Sequence, residues 1–527
     1  MTTLQHAARI GLLMAGAAAL LGWVLCHSEA TSNDGLRYIH EAEQIDRGAW
    51  RDGLVQGIDH PLHPLGIVAT HRLIGGNGPA SWQRAALALC FASVILLVLP
   101  SYLLAHELFD DRTAWLACVL VLVNPIVGSI VVNVLSESTF VLWWTFGLWG
   151  AARFFREGRF LWLPMAIGFG ALAYLTRPEG MLLPAAVVLT LWLLPMVRAT
   201  RINWPRWWRA LAFLAAGVVL LVGPYVAVNG GLGTKPAIAR VLGLAPRSGP
   251  LDLEREAPLP ADQSPVETYR AATVRMLEVF AAATTPPLLP IALVGIALAA
   301  VQTARIRAWL FLGIVLAGSA VGLVRLHATG GYCTVRHGLV PGIILTMAAA
   351  YGLSWAMSRV AIPGRWLGLG QDRLRPGPAV WAVLLAFLVV LPNLRALGPP
   401  NAGSFSVYHA AGRWIAQHAG PAEGILDLTD WSLYFSQRPG ARFGDVYEAG
   451  DDPNLRWILA RPSQVEGQWP YSQVLRDLIA DRAPVAVIPP RAEAGQVQIQ
   501  VYDRRSAAAW TASSTNADAH PRPTRRR

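Results

Sequence analysis

Runs of apolar residues broken by short polar connections occupy most of the chain up to about residue 398. A helix needs roughly 20 mostly apolar residues to cross a bilayer. By that measure the pattern predicts about eleven spans. They cover residues 8–27, 83–104, 112–132, 137–155, 161–176, 180–197, 209–229, 284–302, 307–325, 337–357 and 378–398. Polar positions between the first two spans, with a 3.6-residue rhythm at Tyr38, Glu41 and Ile45, suggest a helix outside the bilayer. Residues 266–280 (VETYRAATVRMLEVF) read either as a helix lying in the interface or as a core-packing one. The Pro-rich, acidic stretch 245–265 has the composition of a flap over a site.

From Pro399 the pattern changes. FSVYHAAGRWIAQHAG is helical in period, while GILDLTDW, YFSQR and APVAVIPP read as short strands between turn residues. The expected fold is therefore a mainly α polytopic membrane module over 1–398, with outer loops 28–82 and 230–284. A small soluble α/β domain over 399–503 follows it, and then a disordered basic tail over 504–527. The segment Ile10–Cys26 could be taken for a signal peptide, because Ala17–Leu21 is small and apolar. It lacks a clear A-x-A site, so a retained helix is expected.

Composition agrees: 54% of the 527 residues are hydrophobic and 15% are charged, which excludes an ordinary soluble enzyme. The net charge of +11 invites a nucleic-acid reading, but its Arg residues sit in short loops. Arg112, then Arg153, Arg156 and Arg159, then Arg198, Arg201, Arg206 and Arg209 fall in alternate loops. Arg305 and Arg307, then Arg359, Arg365, Arg373 and Arg375, continue the alternation. The positive-inside rule then sets the N-terminus in the cytoplasm of a multi-pass inner (cytoplasmic) membrane protein, with the C-terminal domain outside. Cys26, Cys90, Cys118 and Cys333 suggest neither a disulfide framework nor a metal spacing.

The candidate chemistry collects on the expected outer face. Asp34 lies just past the first span, where a carboxylate in a partly desolvated cleft serves as general base; an N-cap for a helix starting at Gly35 is the plainer alternative. Asp59, His60 and His63 stand in DHPLHPLG, where two prolines fix the chain in turns. This D-H-x-x-H grouping admits a divalent metal, yet it lacks a fourth ligand and no metal ligand is assigned. Glu137 follows Ser136 at a span boundary, as a functional acid or as the first-turn acid of a capped helix. Arg177 and Glu179 form a charged hairpin in which they pair together or Arg177 grips a phosphate. Arg336 and His337 lie in GGYCTVRHGLVPG, with Arg325 and His327 nearby, as a phosphate site or an interfacial anchor.

These motifs in this order resemble C-type (GT-C) integral-membrane glycosyltransferases, specifically the family 39-like protein mannosyltransferase and aminoarabinose transferase relatives. DGLRY at Asp34–Tyr38, RGAW at Arg47–Trp50, DHPLHPLG and HELFDDRTAWLA at His106–Ala117 carry the resemblance. So do LSES at Leu135–Ser138, TRPEG at Thr176–Gly180 and VRHGLVPG. It departs in having P-L-H-P for paired prolines, Gly35 where relatives have a second acid, and His337 for Tyr. The resemblance implies inverting transfer of a sugar from a polyprenyl-phosphate carrier to a lipid, glycan or protein acceptor. It implies Asp34 as base, Asp59 and Glu137 as further acids of the catalytic site, and Arg336 on the lipid phosphate. Arg37, Tyr38, His60, His63, Arg177, Glu179 and His337 would line the substrate and phosphate site. A polytopic transporter, or a scaffold presenting the C-terminal domain, is the alternative. The first of these predicts polar or broken helices near mid-bilayer, whereas the acids here crowd at one face.

Overall fold

The computed structural model describes residues 2–27, 32–51, 59–197, 204–232, 241, 264–301, 305–331, 333–359, 362–363, 373–374, 378–397, 404–467, 470–480, 482–491 and 497–505. The expected flap over 245–265 falls almost wholly outside these residues, as does the expected tail beyond Arg505. The chain divides into two compact units, Met1–Ala402 and Gly403–Arg527.

The first unit is helical. In chain order its leading helices are α1 (Thr3–His27), α2 (Asn33–Asp46), α3 (Leu62–Ile74), α4 (Pro79–Leu108), α5 (Asp111–Leu122), α6 (Pro125–Val132), α7 (Glu137–Glu157) and α8 (Trp162–Thr176). Then come α9 (Leu182–Val197), α10 (Trp204–Asn229), α11 (Pro265–Thr284), α12 (Leu288–Ala300), α13 (Ile306–Gly330) and α14 (Leu339–Arg359). The unit closes with α15 (Pro378–Leu385) and α16 (Leu391–Ala396), joined by a π-turn. Among the described residues six helices are long and apolar enough to cross a membrane, or eight if each of two bent pairs is one span. The remaining expected spans correspond to α7, whose ends carry Glu137, Arg153, Arg156 and Glu157, to the shorter α8, and to the helical stretch 383–396.

Both bends have local causes. Between α5 and α6 the axis turns by 51°. Pro125 opens the second helix and the Asn124 side chain accepts from the Ile126 amide at 3.0 Å. Between α11 and α12 it turns by 90°, where Thr285 takes a left-handed φ of +79° ahead of Pro286 and Pro287. Asn124 donates to the Ala283 carbonyl at 2.7 Å, so one break satisfies a carbonyl left open by the other. The stretch read as a possible interfacial helix is α11, started by a capping box between Ser264 and Glu267.

The second unit has helices α17 (Ser404–His418), α18 (Trp431–Ser436), α19 (Pro462–Glu466) and α20 (Pro470–Ile479) around a five-stranded sheet. The chain forms strands β1 (Ile362–Pro363) and β2 (Arg373–Leu374) in the first unit. In the second it forms β3 (Gly424–Asp427), β4 (Ala441–Arg442), β5 (Leu455–Ala460), β6 (Ala486–Ile488) and β7 (Ile499–Asp503). The sheet order is β4-β3-β5-β7-β6, parallel at β4-β3-β5 and antiparallel beyond. The expected helix and the strands in GILDLTDW and APVAVIPP are found, but YFSQR is the end of α18 and not a strand. The reason is Asp427: its carboxylate accepts from the Thr429 amide at 2.8 Å and the Leu433 amide at 2.6 Å, which bends the chain into a helical turn.

Candidate active site

The site is assembled from the starts of five helical segments, most of them distant in sequence. Helix α2 buries Leu36, Ile39 and Ala42, at helical spacing, against the bundle. It sits close because residue 35 is glycine: a Cβ there would lie 2.5 Å from the Asn133 carbonyl oxygen and 3.1 Å from the Val134 Cβ. Val134, with φ +53°, makes the tight link from α6 to α7 that brings this carbonyl up to α2. The N-cap of α2 is Ser32, so Asp34 falls in the first turn and its side chain is turned to other partners.

Those partners are arginines. Arg336 Nη1 donates to Asp34 Oδ2 at 2.6 Å across 302 residues of sequence. Arg37 Nη1 lies 3.1 Å from Asp34 Oδ1, and its Nε donates to Asp59 Oδ2 at 2.5 Å. Arg336 Nε also lies 3.6 Å from Glu137 Oε1. Glu137 is 2.9 Å from Arg177 Nη1, and Arg177 Nη2 donates to Glu179 Oε1 at 2.8 Å. The result is one ladder of alternating sign, Asp59–Arg37–Asp34–Arg336–Glu137–Arg177–Glu179. Its members differ in exposure. Glu137 and Asp59 are buried at 3% and 1% of side-chain surface, whereas Asp34 and Arg336 keep 24% and 29%. Arg37 keeps 36% and Glu179, at the far end, 46%, so the accessible stretch is Arg37–Asp34–Arg336, with the buried acids Asp59 and Glu137 on either side.

Hydroxyls tie the ladder to the bundle. Ser136 stands at the N-cap position of α7 but makes no capping bond there; its hydroxyl meets Tyr38 OH at 2.9 Å and accepts from Arg177 at 3.2 Å. Burial, with Asp59 and Glu137 close by, pushes the Tyr38 phenol well above its ordinary value, so it remains a donor. Burial works against charge on Arg37, but Asp59 and Asp34 outweigh it and hold the guanidinium protonated. His63, fully buried, joins Thr139 Oγ1 at 3.0 Å, and desolvation pushes its imidazole down to about 4, so it is neutral at physiological pH.

Asp34, Arg37, Asp59, Glu137, Arg177, Glu179 and Arg336 are therefore in one network. Tyr38 and His63 back it, their rings meeting edge to face with centroids 4.9 Å apart. His60 packs between Tyr174 and Tyr225, at 4.9 and 5.3 Å. His337 turns back to cap its own helical turn, its Nδ1 lying 3.1 Å from the Thr334 amide. Arg325 and His327 lie on α13, where Arg325 donates to the Val241 carbonyl at 3.1 Å. Among the described residues, Asp59, His60 and His63 do not bring three ligand atoms together; the one grouping of that kind is His6, His106 and Asp111, at the other end of α1. Sequence reading passed over Tyr174 and Tyr225, which flank His60, and treated Gly35 only as a missing acid. Tyr174 sits two residues before TRPEG and carried a signal by position.

Among the described residues, six to eight candidate spans with an acid–arginine network at helix starts define a polytopic membrane protein. Residues 59–226 match the family model of dolichyl-phosphate-mannose-protein mannosyltransferase; Asp59, Glu137, Arg177 and Glu179 lie inside that segment and Asp34 and Arg336 outside it. Among solved structures, the fold is similar to the archaeal oligosaccharyltransferase AglB from Archaeoglobus fulgidus in complex with an inhibitory peptide and a dolichol-phosphate. That match has TM-score 0.60 and 12% identity, over 94% of this chain and 74% of that one. It is also similar to ArnT from Cupriavidus metallidurans bound to undecaprenyl phosphate (TM-score 0.56, 15% identity, 95% of this chain and 99% of that one). No curated protein matches the chain. The segment match and the fold agree with the resemblance read from the motifs: the chain has the fold of these membrane glycosyltransferase structures, and its residues 59–226 match the mannosyltransferase family model.

Proposed function

We propose that the chain moves a sugar from a polyprenyl-phosphate carrier to an acceptor on the extracytoplasmic face of the inner membrane, inverting the anomeric carbon. The observation that carries this reading is the partly exposed Arg37–Asp34–Arg336 stretch held between the buried acids Asp59 and Glu137. An arriving phosphate monoester offers Arg336 two anionic oxygens, which suit its planar fork better than one carboxylate oxygen does. Arg336 swings to the phosphate and Asp34 is released to act. Its free oxygen takes the proton of the acceptor hydroxyl or amine while the acceptor atom bonds to the anomeric carbon. The bond from that carbon to the phosphate oxygen breaks, and its electron pair leaves on the phosphate, neutralised by Arg336. Arg37 steadies Asp34 throughout, and Arg177 keeps Glu137 in place beneath Arg336. The Arg-bearing loops support the orientation, with the N-terminus inside.

Purified wild-type protein and Asp34→Asn, incubated with labelled polyprenyl-phosphate sugars, test the reading. The variant should express and melt like wild type and lose roughly 10²-fold or more of its transfer rate. Normal transfer by Asp34→Asn removes Asp34 as the base. A polyprenyl diphosphate as the released lipid, in place of the monophosphate, overturns the monophosphate donor and moves the chain to a reading with a diphosphate-linked glycan.

A further inference from the structure

The opposite end of α1 holds a second polar cluster that the transfer reaction does not use. His6 lies in the second turn of α1, His106 in the last turn of α4, and Asp111 in the first turn of α5. Phe109 and Asp110 alone separate α4 from α5, and Asp110 caps α5 by accepting from the Thr113 amide at 2.8 Å, which fixes where Asp111 points. Asp111 Oδ1 is 2.8 Å from His106 Nδ1 and 3.9 Å from His6 Nε2. The three ligand atoms lie within 4.8 Å of one another.

Two further observations distinguish this cluster from a surface ion pair. Asp111 Oδ1 is shielded from solvent and, among the described residues, takes part in no hydrogen bond, although two imidazole nitrogens face it. His6 is oriented from behind, its Nδ1 meeting Tyr102 OH at 3.0 Å, which leaves Nε2 toward the carboxylate. An outer partner on the far ring nitrogen is the arrangement that metal-ligating histidines need. Tetrahedral zinc with bonds of about 2.0–2.1 Å spaces its ligands roughly 3.3 Å apart. The 2.8 Å pair must open and the 3.9 Å pair must close by about half an ångström each, within the reach of side-chain rotation. A cavity of about 330 Å³ lined by Arg9, Asp111, Arg112 and Trp115 adjoins Asp111 and leaves room for water or a small anion as fourth ligand.

We propose that His6, His106 and Asp111 form a binding site for a borderline divalent cation such as Zn²⁺, which pins the start of α1 to the α4–α5 junction. Two imidazoles and one carboxylate favour zinc or cobalt over magnesium or calcium. Arg9 and Arg112 nearby oppose a cation, so the affinity should be moderate. The site is a helix length from Asp34, roughly 30 Å by the rise of α1, and acts on stability and not on the acid.

The test uses tag-free, chelator-treated full-length protein in detergent, titrated with Co²⁺ alone and then Zn²⁺ alone. We expect one equivalent of saturable Co²⁺, with the visible spectrum of a low-coordinate nitrogen–oxygen site, displaced by Zn²⁺. The melting temperature should rise with metal concentration. His6→Gln and His106→Gln should each weaken binding at least tenfold while eluting as wild type does without metal. Three results would overturn the proposal: no saturable uptake by wild-type protein, uptake undiminished in the double variant, or a cobalt–thiolate charge-transfer band placing the ion on the exposed Cys26. The first would leave the cluster as a histidine–aspartate contact without an ion.

Discussion

Gly35→Ala separates the placement of Asp34 from the chemistry of Asp34. The added Cβ would sit 2.5 Å from the Asn133 oxygen where ordinary contact begins at 3.4 Å, so α2 and the Asn133–Val134 link must part by up to 0.9 Å (3.4 − 2.5). Val134, already in a left-handed conformation, has little freedom to yield. Such overpacking costs roughly 1–3 kcal/mol. Replacing glycine by alanine in a helix returns about 1 kcal/mol. The net loss of stability is therefore roughly 0–2 kcal/mol, small enough for the protein to fold. The same shift drags Asp34 from its 2.6 Å bond to Arg336 and Tyr38 from its 2.9 Å contact with Ser136. A misplacement near 1 Å can cost on the order of 10²-fold in rate. Transfer should fall by about that factor while the melting temperature moves by only a few degrees. Gly16→Ala, on α1 with nothing within 4 Å of the new methyl, is the control and should keep full activity. If Gly35→Ala also transfers sugar at the wild-type rate, the positioning of α2 by Asn133 does not govern the site.

Two further predictions follow from burial. Glu137→Gln leaves Arg177 and Arg336 short of a buried negative partner, so it should cost roughly 3–5 kcal/mol and show as a lower melting temperature before any catalytic effect; a stable variant would mean Glu179 and Asp34 suffice. In the second unit burial, with Asp427 nearby, pushes Asp430 up to about 7, against a bond from the Phe443 amide. A carboxyl raised in the folded state contributes proton-linked stability below the unfolded value near 3.8 and loses it as pH rises through 7. Asp430→Asn should thus match wild type near pH 4 and gain on it up to pH 8, by at most about 4 kcal/mol; a gain that does not grow with pH would refute the assignment.

Much of the architecture was legible in the hydrophobic pattern, because twenty apolar residues in a row leave the backbone few options but a helix. The bends were less so. Pro286 and Pro287 announced the break after α11, but Val134 has a side chain that gives no hint of a left-handed turn. The polar segments at Asp34, Glu137, Arg177 and Arg336 stood out because charge is expensive there, and their pairing into one ladder is tertiary, invisible to local rules. Geometry decides between the alternatives at single residues: α2 starts two residues before Gly35 with Ser32 as its N-cap, which puts Asp34 in the first turn, and Ser136 stands at the N-cap of α7 without a capping bond. His60 and His63 went elsewhere than an aimed metal pair, into an aromatic nest and a hydroxyl contact, since full burial favours neutral imidazole. YFSQR was misread because strand-forming residues there yield to one carboxylate, Asp427, that captures two amides. His6, His106 and Asp111 were unreadable as a set, being joined only when α1 packs beside α4 and α5.

The 302 residues that separate Asp34 from Arg336 bear on biosynthesis. While a ribosome is still adding the middle of the polypeptide, Asp34 and Glu137 have already emerged without the guanidinium that later completes the pair. On the proposed function, a nascent chain would stay inert until the segment beginning at Val335 is integrated, and products terminated earlier would consume no lipid-linked sugar. Completion of synthesis itself would then be the event that arms the site.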